Sequence, residues 1–572
     1  MRSKGIKSIL QNHRLSNEGL WIRIYILVTV GIFLIRVVWF AAHYGGIEHD
    51  SGWYLGVAKN LAHRGIYASY SNTIVTEGVD VYPSIHGRFD VQDKDGFVYF
   101  PSGVTVGPGY VLPQSILLRV FGDGWWQYRL WPLATYTGLL FLLFYITWVL
   151  GGLWSLFLFQ VWLWAVPQLT TIFAYESFSE HTALFYLLLS FLIYYKGSKA
   201  EKEYLHMLAA GFFLSLSILT KLLFALTILA FVPMIIWDIY SKPKQLRTLS
   251  LRWTVFAIGF IIPIGMFEIY RYFSLVSRFG IEGWEAINNA FWLTFSHSGS
   301  GVNNLGNLDW SFAGKKLRLW SEVGIQPFWL PWICFLLSPL FVLKYTRKEA
   351  WSLILIIYSG AMVSLLWFVL ISPTGWGRHA WHGLVSAMIL VSVVFGTTLR
   401  DRMREFRKEN VLIVLLILSI LGFSIQTYNI EMRPFLNQAT IDKWLITRNG
   451  AKGFTQGFPH APVFSLADQR EAIDFFVRTI QKDDRIYYLG WFLVAEMSPL
   501  VDKVFYPLDR YINNNRVNPE GGSSYLIFGP YQQCSWRVVP EWYLGSAISQ
   551  LCRNIVFANQ SYTICKLKED LG

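Results

Sequence analysis

Asp50 is the first residue whose position suggests chemistry. It follows Gly45-Gly46, which break the preceding helix, and it opens the stretch DSGWYLGVAKNLAHRG. In that stretch Trp53, Tyr54, Val57, Ala58 and Leu61 recur at helical spacing, Lys59 and Arg64 lie toward the end, and Gly65 is a natural stop. One reading makes Asp50 a helix cap, its carboxylate accepting from free amides of the next turn for about 1 kcal/mol. The other makes it a general base that takes the proton of an attacking hydroxyl. The two are compatible. Glu176 and Glu180 share one helical face at i, i+4. Glu180 either complements a helix dipole or partners a cation. Glu48-His49-Asp50 has no standard metal-ligand spacing, and neither has His379 with His382, so we expect no cofactor, with a divalent metal as the less favoured alternative.

The elements that must hold these residues are membrane spans. Of 572 residues, 53% are hydrophobic and 15% charged, against roughly 25% charged in soluble proteins. Mean hydropathy is +0.37. The 26 Trp and 43 Phe suit a chain with two membrane interfaces to line. A bilayer core about 30 Å thick needs about 20 apolar residues as helix. Eleven stretches qualify, at about 20–42, 128–150, 152–174, 181–196, 204–220, 222–240, 253–273, 327–344, 351–372, 380–398 and 411–428. The first is long enough to span and lacks a clear small-residue cleavage site, so it reads as a span and not as a cleaved signal.

The basic residues set orientation. Arg2, Lys4, Lys7, Arg14 and Arg23 precede or open the first span. Later clusters are Lys196, Lys199 and Lys202, then Lys242, Lys244, Arg247 and Arg252. Lys344, Arg347 and Lys348 follow, and then Arg400, Arg402, Arg404, Arg407 and Lys408. With eleven spans, every cluster falls on the side of the N-terminus, which the positive-inside rule makes the cytoplasm. This placement also explains the net charge of +12 without nucleic acid. Outside lie a first loop (43–127), a second (274–326) and the tail from 429. The helix after Asp50 is amphipathic and is expected in the outer membrane interface. Four cations break the rule by sitting at outer span ends: Lys221, Arg378, Arg271 and Arg129. They either anchor by snorkelling or serve an anionic ligand.

The expected architecture is a mostly α, polytopic membrane module over 1–428 and a small soluble α/β domain over 429–572. In the tail, Glu471–Gln481 reads as helix and DRIYYLGW, KVFYPLD and SYLIFGP as strands. NIVFANQSYTICKL reads as a closing hairpin with its turn near Asn559-Gln560, inside the sequon Asn559-Gln560-Ser561. Cys534, Cys552 and Cys565 lie in this domain, and their pairing is open.

In order along the chain, these features resemble the GT-C glycosyltransferases that use lipid-phosphate sugars, which include protein O-mannosyltransferases and the aminoarabinose transferases of lipid A. The resemblance covers roughly 20–430. It rests on the long first loop opening with Asp50, Tyr54 and Ala58, on VTVGPGYVLP followed by Arg129, and on AYESFSEHTALFYLLL. It also rests on SLSILTKLLFALTILAFVPMI, where Leu222 stands in for a usual Pro, and on GWGRHAWHGLVSAM, where His379 stands in for Tyr. Many members carry a second acid after the catalytic Asp; here it is Ser51.

The resemblance implies transfer of a monosaccharide, with inversion, from a polyprenyl-phosphate donor to a hydroxyl acceptor at the outer face of a cell (inner) membrane. Asp50 would be the base. Lys221, Arg378, Arg271 and Arg129 would meet the donor phosphate, and Tyr54, Glu176, Glu180 and His379 the substrates. A transporter or flippase is the main rival, but the spans are nearly uncharged and show no matching halves. A metal-dependent oligosaccharide transferase is the second.

Overall fold

The computed structural model describes residues 17–43, 47, 49–70, 91–100, 106–165, 179–197, 203–241, 246–294, 308–322, 329–345, 350–372, 377–402, 414–418, 420–422, 466–488, 496–508, 522–529, 548–559 and 561–568. Glu176, Cys534 and the boundary at 428/429 lie outside the described residues, as do the side chains of Asp50 and Arg378.

The membrane module opens with α1 (Asn17–His43) and α2 (His49–Arg64), then a three-stranded sheet of β1 (Ala68–Ser69), β2 (Val91–Gln92) and β3 (Val98–Tyr99). Next come α3 (Pro108–Phe121), a 3-10 turn at Gln127–Arg129, α4 (Leu130–Gly151), α5 (Leu153–Ala165), α6 (Glu180–Gly197) and α7 (Glu203–Thr220). A 3-10 segment, Leu222–Phe231, leads into α8 (Val232–Ser241) and α9 (Leu246–Thr294). The module continues with α10 (Trp310–Glu322), α11 (Trp329–Tyr345), α12 (Trp351–Leu366) with a π turn at Trp367–Ile371, and α13 (Gly377–Arg402). Where described, the eleven expected stretches fall on helix except at Gly152 and Ser372, at their ends. Six helical stretches among the described residues are long and apolar enough to cross a membrane: Gln127–Gly151, Glu203–Thr220, Leu222–Tyr240, Leu246–Asn289, Trp351–Ile371 and Trp381–Arg400.

α9 exposes Ile258, Ile261, Met266 and Ile269, a face the fold leaves to lipid. Its other side packs closely on α7, where a Cβ at Gly211 would lie 2.1 Å from the Phe256 carbonyl and one at Gly259 2.1 Å from the Leu208 carbonyl. The 49 residues of α9 are two helices joined at a kink, together more than a bilayer needs. The helical path is interrupted at Gly280, whose φ of 71° is open to glycine. The region 274–326, read as a polar loop, therefore carries helix to Thr294 and again in α10. Arg278 Nη1 donates to the Tyr99 hydroxyl at 2.8 Å, bracing the small sheet.

The C-terminal domain comprises α14 (Leu466–Thr479), β4 (Arg485–Tyr488), α15 (Met497–Val501), β5 (Phe505–Pro507), β6 (Ser524–Phe528), β7 (Cys552–Ala558) and β8 (Thr563–Leu567). The sheet order is β5-β4-β6-β8-β7. β4 pairs in parallel with β5 and β6, and β8 is antiparallel to β6 and β7, so this is an α/β unit with a terminal hairpin. A disulfide joins Cys552 to Cys565 across that hairpin. At its turn the Asn559 carboxamide oxygen accepts from the amides of Ser561 (3.0 Å) and Tyr562 (2.9 Å). Its nitrogen donates to the Asp468 carbonyl (3.0 Å) and Glu471 Oε2 (3.3 Å).

One face of the sheet packs within the domain, around Tyr487, Leu508, Leu526 and Phe528, and the other against the first loop. One buried cluster joins Trp53, Tyr54, Tyr67 and Tyr99 of the first loop to Phe476, Ile486, Phe505 and Ile527 of the domain. β5, an edge strand, is covered by the loop: the Phe505 amide donates to the Tyr70 carbonyl at 3.2 Å.

Candidate functional site

α2 begins at His49, so Asp50 lies inside the first turn and not at the cap position; an acid there is favoured by the positive helix end. Gly65, with φ of 67°, ends the helix as its sequence suggests. The expected exposure to the interface is not observed. Every residue from Ser51 to Asn60 is buried, because α3, β1 and α15 cover the faces that were assigned to headgroups. Lys59 and Asn60 tolerate this by pairing. Lys59 Nζ donates to the Pro499 carbonyl at 3.0 Å and lies 3.2 Å from Asp123 Oδ2, and Asn60 donates to the Ala68 carbonyl at 2.7 Å.

One turn after Asp50, Tyr54 meets the Ser179 hydroxyl at 2.7 Å, and its ring stands edge-on to Tyr110 at 5.2 Å between centroids. Ser179 precedes Glu180, the first residue of α6, which is 1% exposed. Glu180 Oε1 lies 3.0 Å from Lys221 Nζ. Lys221 sits where α7 stops: it is extended (φ −147°, ψ 113°) and caps the 3-10 segment. The junction thus breaks without the proline that Leu222 replaces. Gly107 and Gly109 explain the VGPGY stretch, because a Cβ there would lie 2.0 Å from the Leu219 carbonyl and 2.3 Å from Thr220 Oγ1. Backbone contact to the last turn of α7 is open only to glycine. Asp50's helix, the head of α3, the head of α6 and Lys221 therefore meet at one end of the bundle.

α13 reaches the same end. His382, one turn beyond Arg378, lies with its ring 4.3 Å from that of Phe224, three residues after Lys221. His379 is half-buried, 6.3 Å from the Trp367 ring. Arg271 is buried on α9. Its Nη2 lies 2.5 Å from Glu268 Oε2 and 3.4 Å from Asn288 Oδ1, and Nε has no hydrogen-bond partner among the described residues. Arg129 is buried in the turn before α4, donating to the Trp125 carbonyl at 3.2 Å and stacking on that ring.

Two groups here escaped the sequence reading. Lys316 of α10 is buried, donates to the Ser372 carbonyl at 3.0 Å, and is pushed down to about 8 by burial. The helical spacing of WSFAGKKLRLW is a signal that could have marked an amphipathic helix in this loop, but nothing in it marks the partner. Asp502 of the C-terminal domain receives both Arg64 Nη1 (3.2 Å) and Nη2 (3.1 Å), together with the Tyr70 hydroxyl. Burial alone would raise its carboxyl; the hydrogen bonds from Arg64 and Tyr70 and the charges of Lys59 and Arg64 outweigh that and hold it below the usual range.

No family model matches the chain, and no curated protein matches it in sequence. Among solved structures it is similar to ArnT from Cupriavidus metallidurans bound to undecaprenyl phosphate, at 12% identity over 97% of this chain and 99% of that one, with a TM-score of 0.54. The same enzyme in the apo state gives a TM-score of 0.52 at 12% identity and the same coverage. An oligosaccharyltransferase from Archaeoglobus fulgidus gives 0.48 at 11% identity, over 92% of this chain and 71% of that one. The chain shares the overall fold of ArnT.

Proposed function

We propose that the protein is an inverting glycosyltransferase that moves a monosaccharide from a polyprenyl-phosphate donor to a hydroxyl acceptor at the outer membrane face. The observation that carries this reading is the convergence of Asp50's helix with the buried Glu180–Lys221 pair. A similar fold, ArnT, crystallised with undecaprenyl phosphate, which gives the donor class support.

In the reaction, the acceptor oxygen attacks the anomeric carbon and the bond from that carbon to the phosphate oxygen breaks with its electron pair. The acceptor proton passes to the Asp50 carboxylate. The leaving phosphate gains one negative charge, which Lys221 and Arg378 stabilise in a site with little water. Arg271, whose Nε–H has no partner among the described residues, is a further donor at that phosphate. Glu180 holds the Lys221 ammonium in place, and Tyr54 and His379 line the sugar. Arg129, held in its own turn, acts on the geometry of the α3–α4 connection. Glu176 meets the sugar hydroxyls.

The test is turnover of undecaprenyl-phosphate monosaccharides by full-length protein in lipid nanodiscs, with Asp50→Asn beside wild type. Loss of transfer in a folded, inserted variant is expected. Full turnover in Asp50→Asn would remove the base.

A further inference from the structure

We infer that the C-terminal domain is a working part of this site, and that Gln469 is a positioning residue for the helix carrying Asp50. The inference rests on the reading of Asp50 as the base.

The geometry is a two-point grip. Gln469 Oε1 accepts from the Ile47 amide at 2.8 Å, and Gln469 Nε2 donates to the Ile47 carbonyl at 3.0 Å. One side-chain amide thus satisfies both polar groups of one residue, as a neighbouring strand would. Both partners are buried, Gln469 fully and Ile47 at 3% exposure, so neither bond competes with water. Gln469 is itself held: the Tyr562 hydroxyl, which donates to buried Glu496 at 3.5 Å, also shares a hydrogen bond with it. From Ile47 to Asp50 is three residues, a reach of at most about 10 Å.

The same domain grips the far end of the helix. Lys59 donates to the Pro499 carbonyl and Arg64 makes its double contact with Asp502. The head of α2 is thus tied down by a residue 422 positions away in the chain. A base works only when placed within a fraction of an ångström of its proton, and misplacement by about 1 Å costs on the order of 100-fold in rate.

The experiment uses the full-length protein with Gln469→Leu, which keeps volume and removes both bonds, and Gln469→Glu, which keeps the acceptor for the Ile47 amide and loses the donor. Hydrogen exchange over residues 47–54, affinity for undecaprenyl phosphate, and kcat and KM on the donor that the wild type turns over are measured. We expect Gln469→Leu to speed exchange by about tenfold or more, leave undecaprenyl phosphate affinity unchanged, and lower kcat by about 100-fold with KM unchanged. Gln469→Glu falls between and carries the test by itself should Gln469→Leu not fold. Unchanged exchange would show that the grip does not hold the helix; raised exchange at wild-type kcat would show that it does not serve catalysis. Asp50→Asn in the same assay separates the two claims: should that variant turn over, the base assignment fails, while the exchange measurement still decides the grip.

Discussion

The ammonium of Lys221, at the break after α7, lies 3.0 Å from Oε1 of Glu180 at the head of α6, and Glu180 is 1% exposed. Removing one member of a buried ion pair strands the other, at about 3–5 kcal/mol. Lys221→Met should therefore destabilise by that amount in thermal unfolding, and adding Glu180→Gln should restore most of it. Turnover should stay lost in the double variant. A double variant that transfers sugar would show that Lys221 serves only structure.

The glycines that press α3 onto α7 give a contrast within one chain. In Gly109→Ala the new methyl would meet Thr220 Oγ1 at 2.3 Å and the Leu216 carbonyl at 2.7 Å. Such overpacking should cost about 1–3 kcal/mol and shift Lys221 with its neighbours. Gly31 of α1 has nothing within 4 Å of an added Cβ, and Gly31→Ala should gain about 0.5–1 kcal/mol. Equal melting temperatures for the two variants would contradict the close approach.

Asp502 should make the contact between domain and first loop sensitive to acid. Its folded carboxyl titrates below the unfolded value, so its contribution is complete above about pH 3.9. The contribution is lost as pH falls through the lower folded value. Exchange at Lys59–Arg64 should accelerate over that window in wild type and show no such step in Asp502→Asn. A wild-type profile flat down to pH 2 would remove this role.

Metal dependence discriminates the chemistry. Displacement at a carbon bearing a phosphate, with one carboxylate as base, needs no divalent ion, so EDTA should leave transfer intact. Activity lost to EDTA and recovered with manganese or magnesium would favour the metal-dependent oligosaccharide class.

Much of the fold was legible because a bilayer forces it: apolar length and basic clusters marked the spans, and period-two patterns marked β4, β5, β6 and the hairpin. The environment of α2 was not legible. Trp53, Tyr54 and Val57 were read at helical spacing, but nothing local foretold the burial of Lys59 and Asn60, because their partners Pro499 and Ala68 become neighbours only on folding. Lys221 was found through its violation of sidedness. Its pairing with Glu180 joins two helix ends far apart in the chain, and no local pattern encodes that. Gln469 left no signal at all, being one polar residue on a helix with an ordinary polar face.

Asn559 carries a further consequence. Both hydrogens that an acceptor asparagine must present are engaged once the hairpin forms, by the Asp468 carbonyl and the Glu471 carboxylate. In a host that modifies such sequons, a glycan at Asn559 would have to be attached before β7 and β8 zip together. Occupancy at that single residue would then act as a clock, comparing the speed of hairpin closure with the arrival of the modifying enzyme.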